Sequence, residues 1–170
     1  STPAACREKI KEALTIIMTK DNQELNSFIQ DFRKDFMDLK PELIAYPRSV
    51  NGLNKWTESH NLFKKGAPIH CKGAILYNHL LQDKKLQGKY PYIQEGDKIK
   101  FLHMKTPNVY QSTSISFMTK LPNELNLHNF IDYDMQFEKS FVEPLKFITN
   151  IIKWQIDDSY GTQGTLEGFF

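Results

Sequence analysis

The stretch Pro68-Ile69-His70-Cys71-Lys72-Gly73-Ala74-Ile75-Leu76-Tyr77-Asn78-His79-Leu80 opens on a proline and then sets Ile69, Gly73, Leu76, Tyr77 and Leu80 on one face at helical spacing. This predicts a helix with one apolar side, and Gly73 on that side predicts a close approach to its packing partner. Lys84, Lys85 and Lys89 mark a basic exit. Upstream, from Pro41 to Gly66, periodicity dissolves into Pro, Asn, Gly and Ser with scattered aromatics, bracketed by Lys55 and the Lys64-Lys65 pair. That stretch is expected to be extended and mostly at the surface.

Further toward the amino terminus the pattern is helical again. Thr2 followed by Pro3 reads as an N-cap with proline at the first helical position, and Ile10, Ala13, Leu14, Ile17 and Met18 then share a face. Asp21 with Glu24 forms a capping box, after which Leu25, Phe28, Ile29, Phe32, Phe36 and Leu39 make a second apolar stripe ending at Pro41. The two predict an antiparallel helical hairpin.

Downstream of the quoted helix the period shifts toward two. Ile99, Phe101 and His103 alternate with Lys98, Lys100 and Leu102, and Ser112 to Phe117 alternates again after a Thr106-Pro107-Asn108 turn, predicting a small antiparallel hairpin. A last helix is expected to begin near Asp134 with that residue as N-cap, with Phe137, Phe141, Leu145, Ile148 and Ile152 inward. Pro144 in its interior predicts a kink or a division. After Trp154 the pattern is gone, and Asp157 to Gly168 is polar and Gly-rich. The expected class is mainly α with a small antiparallel β element: a body over 1–156 and a flexible tail over 157–170.

With 170 residues, 40% of them hydrophobic, the chain can bury the core of one domain, or of two small lobes. Its 22 basic and 20 acidic residues leave a formal charge of +2, so a nucleic-acid surface must come from the distribution of lysines. Cys6 and Cys71 are far apart and no Cys-x-x-Cys occurs, which disfavours a disulfide framework and a structural zinc site and fits a reducing, cytoplasmic setting. No apolar run approaches the ~20 residues of a membrane span, and no signal-peptide pattern opens the chain, so no membrane partner is expected. The start at Ser1 without Met suggests a processed product or a fragment of a larger polypeptide.

Catalytic motifs are not evident. Asp132-Tyr133-Asp134 has the paired acids of a two-metal site, but a helix start explains them, Asp134 as N-cap and Asp132 as complement to the dipole. Asp157-Asp158 reads as solvated. His70-Cys71 is the one neighbouring pair of possible metal ligands, with no third or fourth ligand at a recognisable spacing. Phosphate-loop and nucleophile motifs are absent. No catalytic residue, metal or cofactor is expected in this chain.

Two features point to binding. Gln163, Leu166, Phe169 and Phe170 stand at Q-x-x-L-x-x-F-F spacing, which resembles the clamp-interacting box of replication proteins. One helical turn puts Leu166 and an aromatic on one side as an apolar plug, while the Gln163 amide can exchange hydrogen bonds at a pocket rim. The alternative is that the two phenylalanines fold back on their own domain. A polar, Gly-rich leader is better suited to reach than to holding a terminus on a core. Second, Lys64 and Lys65, Lys72, Lys98 and Lys100, and Lys139 are the candidates for phosphate contact.

Several short signatures in order resemble the thumb domain of the family B DNA polymerases of T-even-like phages. Ser1-Thr2-Pro3 precedes a Lys-rich helix, and Asn26 to Phe36 repeats Phe within alternating charges. Pro68-x-His70-x-x-Gly73-x-x-x-Tyr77-Asn78 is the most specific match. Glu95-Gly96-Asp97-Lys98-Ile99 resembles an acidic-Gly turn into a strand, and Phe137-Glu138-Lys139-x-Phe141-x-x-Pro144-Leu145 resembles the long last helix. The resemblance covers nearly the whole chain, apart from a poor match over Thr106 to His128. It implies a thumb that grips primer-template duplex DNA through its backbone and minor groove, for a nucleotidyltransferase active in the infected host cell's cytoplasm. The catalytic site would lie in palm and fingers outside this chain. Partners would be the duplex, the sliding clamp, and the palm, fingers and exonuclease domains of the same polymerase. Lys139 matches a lysine that contacts the DNA backbone, whereas Glu143 stands where the family tends to place Lys, and the Gln-led box departs from the family's tail. Rival readings are a clamp-binding adaptor or a separate polymerase subunit acting in trans, and a small metal enzyme using Asp132 and Asp134.

Overall fold

Helix α1 (Ala4–Thr19) starts directly after the buried Pro3, one residue later than the expected entrance, where a missing N–H costs nothing. The computed structural model describes residues 1–157. Helix α2 (Asn22–Met37) is capped as expected, the Asp21 carboxylate accepting from the Glu24 amide at 2.9 Å. There follow α3 (Pro41–Ile44), strand β1 (Tyr46–Ser49), α4 (Leu53–Trp56), α5 (Ile69–Asp83), β2 (Lys98–His103), β3 (Ser114–Phe117), α6 (Tyr133–Phe137) and α7 (Glu143–Ile151). The mainly helical class with a small antiparallel sheet is borne out. None of the described helices is long and apolar enough to cross a membrane.

The described residues form two compact units: Ser1–Ala4 with Lys40–Asp132, and Ala5–Leu39 with the stretch from Tyr133 onward. In the first, the strands pair antiparallel in the order β1-β2-β3, with Arg48 opposite Ile99 and Phe101 opposite Ser116. The expected two-stranded hairpin is therefore a three-stranded sheet. Strand β1 escapes the sequence pattern because Pro47 interrupts its alternation and its four residues are fixed by β2. The stretch over 41–66 is correspondingly less superficial than expected, burying Ile44, Ala45, Val50 and Leu53.

Helix α5 lies on β3, and serines replace bulky side chains where they meet. Ser114 Oγ donates to Ile69 O at 2.6 Å and Ser116 Oγ to His70 O at 2.9 Å. All four residues of β3 are buried. On β2 Leu102 is also buried while His103 is half-exposed, so the expected apolar alternation ends at Phe101. Asn78 pins the following segment by a two-way amide exchange with Ile93, 2.9 Å and 2.8 Å. The Gln94–Asp97 turn carries Gly96 at φ +84°, a conformation that costs glycine little. Its Glu95 carboxylate accepts from the amides of Gly52 at 2.6 Å and Leu53 at 2.7 Å, satisfying the start of α4.

The second unit is built on aromatics. Phe32, Phe36, Phe137 and Phe141 are buried, and Phe32 meets Phe141 edge-on at 4.8 Å while Phe36 meets Phe137 at 5.1 Å. Division of the last helix at Pro144 is borne out: a π-turn over Glu138–Val142 joins α6 to α7, and the Glu143 amide bonds Glu138 O. A proline at 144 cannot donate to the carbonyl one turn back, so a wider turn accommodates the change of register. Phe137, Phe141 and Leu145 are buried as expected, but Ile152 is exposed, Ile148 only half-buried, and Met18 on α1 is 78% exposed. Asp134 is not the N-cap: it lies in the first turn of α6 and forms an ion pair with Arg33. Beyond α7 the chain is held to α2. Asn22 donates to Gln155 O at 2.7 Å and accepts from its amide at 2.9 Å, and Asn26 accepts from the Asp157 amide at 2.7 Å.

Candidate nucleic-acid interface

Lys64 and Lys65 sit on a turn at the foot of α5. The Lys64 amide bonds Trp56 O at 2.8 Å, Lys64 O accepts from Ala67 N at 3.3 Å, and Gly66 at φ +85° reverses the chain. Both side chains are exposed. One turn into α5, Lys72 Nζ lies 5.6 Å from the Phe63 ring centroid, and on α4 Lys55 Nζ lies 5.0 Å from that of Trp56. The Thr57–Phe63 β-bridge brings the Trp56 and Phe63 segments together, with Lys55 over one ring, Lys72 over the other, and Lys64 and Lys65 directly following Phe63 in the chain. Sequence reading took Lys64, Lys65 and Lys72 as phosphate contacts and Lys55 only as a bracket of the 41–66 stretch.

On β2, Lys98 and Lys100 point to the same face, two residues apart. Lys98 is exposed opposite Ser49, but Lys100 Nζ reaches α3 and donates to Glu42 O at 3.1 Å, so part of its donor capacity is used within the fold. Lys139 belongs to the second unit, on the π-turn, and its Nζ is 3.2 Å from Glu143 Oε1. The six candidates thus divide into a cluster of three, a pair on one strand, and Lys139 in the other unit.

Arg48 is an exposed cation that sequence reading passed over. It shares a sheet face with Phe101, whose ring centroid lies 6.3 Å from that of the half-buried His70 on α5. Burial first, and the Arg48 charge second, hold the His70 imidazole below its ordinary pKa. His70 is therefore neutral at neutral pH and contributes no cation to this surface. Arg48 pairs with Ile99, and its place on the sheet is readable only once β1 is known to pair with β2.

Of the two acids considered for metal chemistry, Asp134 forms an ion pair with Arg33, and the backbone amide of Asp132 donates to His103 O at 2.9 Å. Among the described residues no group of three His, Cys, Asp or Glu could hold a metal ion. Cys71 is buried with its Sγ donating to Asn51 O at 3.4 Å, and burial pushes its thiol pKa up, with the Glu95 charge adding to the shift. The clamp-box residues Gln163, Leu166, Phe169 and Phe170 lie outside the described residues.

No family model matches the chain. Its likeness is to phage DNA polymerases, and the expected resemblance to the family B enzymes is borne out at that level. It is 27% identical over 149 residues to the DNA-directed DNA polymerase of Enterobacteria phage T4, covering 85% of this chain and 16% of that protein. Against the DNA-directed DNA polymerase of Escherichia phage RB69 it is 27% identical over 158 residues, covering 90% of this chain and 17% of that protein. The chain therefore spans only a small part of the length of these curated relatives.

Proposed function

We propose that this chain is the thumb of a phage-type replicative DNA polymerase, gripping primer-template duplex without sequence preference and tethering the enzyme to a sliding clamp. The observation that carries the reading is the likeness to two phage DNA polymerases over 85% and 90% of the chain. Palm, fingers and exonuclease domains would complete the nucleotidyltransferase, in the cytoplasm of the infected cell. The lysine distribution agrees with this role. Phosphate contact needs ammonium groups at the surface, and Lys64, Lys65 and Lys98 meet that need without an acidic partner among the described residues. The candidates are lysines, compact charges on flexible stems that suit contact with phosphate.

Titrating a labelled duplex with the 170-residue chain tests the grip. Affinity is expected to fall steeply with salt and to be indifferent to base sequence, and replacing Lys64 and Lys65 together by Ala should flatten the log–log salt slope by about 2. A sequence-selective loss would contradict the thumb assignment.

A further inference from the structure

We propose that Glu143 competes with DNA phosphate for the Lys139 ammonium, so that this part of the grip works by exchange of an ion pair and is weaker than the lysine alone would make it. The inference rests on the duplex-binding reading. It starts from Lys139 Nζ lying 3.2 Å from Glu143 Oε1, one turn further along, with both side chains 46% exposed. On the same segment Lys146 Nζ lies 3.4 Å from Glu138 Oε1. Two acids and two lysines therefore alternate and pair across the π-turn, so that within these four side chains the charges balance.

A phosphate oxygen that accepts a hydrogen bond from the Lys139 ammonium comes within about 5–6 Å of the Glu143 carboxylate, close enough for direct repulsion even through water. Either the carboxylate swings away and the pair is exchanged, or the phosphate bears the repulsion. An exposed pair one turn apart on a helix is weak, so exchange is open to a polyanion. The backbone does not oppose it. Glu143 is held by its amide to Glu138 O, which leaves the side chain free to rotate while the π-turn keeps its register. Both partners being exposed, the competition should also fade as salt screens the pair and the incoming phosphate alike.

The test is fluorescence anisotropy of a labelled mixed-sequence duplex with the 170-residue chain at low salt, using E143Q, K139A and the double variant. Far-UV circular dichroism would confirm that each remains helical. E143Q is expected to bind about three- to tenfold more tightly than the unaltered chain, with the gain shrinking at high salt. In the K139A background the same substitution should change affinity by less than about twofold, because the group it releases is gone. An equal gain with and without Lys139 would overturn the exchange and leave only a general charge effect. Unaltered affinity of E143Q beside measurable binding by the unaltered chain would overturn this inference alone. Absence of duplex binding by every variant would overturn the duplex reading and this inference with it.

Discussion

A methyl group at position 73 would lie 2.5 Å from Ser116 Oγ, 2.7 Å from Ser116 N and 2.8 Å from Ile115 C. Two of those atoms are backbone of a buried strand and cannot move aside cheaply. Gly73→Ala improves helix propensity by about 1 kcal/mol, but the forced separation of α5 from β3 costs about 1–3 kcal/mol or more, so the clash wins. The expected result is a lower urea midpoint at unchanged m. Four residues on, Tyr77 is buried and its phenol is pushed up to about 12, by burial first and by Tyr90 second. An unfolded tyrosine ionises near 10, so between pH 10 and 12 the unfolded chain loses a proton that the folded chain keeps. Stability contributed by the neutral phenol is complete below pH 10 and is lost as pH rises through 12. Tyr77→Phe should remove that alkaline slope from denaturation curves measured between the two values.

At the scale of elements, α1, α2 and α5 are legible in the sequence because a helix face repeats within a few residues of itself. Strand β1 is not, because its pairing with β2 joins Tyr46 to Phe101 across half the domain. The lysines of the candidate interface are legible as charges, but only contacts show how far each is committed: Lys100 to the Glu42 carbonyl, Lys72 over Phe63. The division at Pro144 is legible and its form is not, since proline predicts a disturbance and the surrounding aromatics decide how the register is recovered. Phe137 closes that junction against Phe32, Phe36 and Phe141. Phe137→Ala should therefore cost about 3–5 kcal/mol, seen as a large fall in melting temperature. The segment after Trp154 is set by α2 side chains instead. Replacing Asn22 and Asn26 by Ala removes the acceptors of the Gln155 and Asp157 amides, and hydrogen exchange at those two amides should rise without a change in the α5 core.

At the scale of the whole molecule, the proposed grips on duplex and clamp are carried by residues far apart in sequence, Lys64, Lys65 and Lys98 for the one and Gln163, Leu166, Phe169 and Phe170 for the other. Phosphate attraction acts through charge and weakens with salt, whereas an aromatic plug acts through apolar burial and is nearly indifferent to salt. The two losses should then be independent. Replacing Phe169 and Phe170 by Ala is expected to abolish clamp binding while leaving the melting temperature and the duplex affinity unchanged. Replacing Lys64, Lys65 and Lys98 by Ala should lower duplex affinity and reduce the salt slope by about 3, with clamp affinity unchanged. Combining both sets should give the sum of the two effects within about 0.5 kcal/mol, the additivity that independent sites show. Isothermal titration of each variant against duplex and clamp separately measures all of these. Loss of duplex binding in the phenylalanine variant would show that the aromatic tail supports the duplex-binding unit itself, and would remove the assignment of the tail to the clamp.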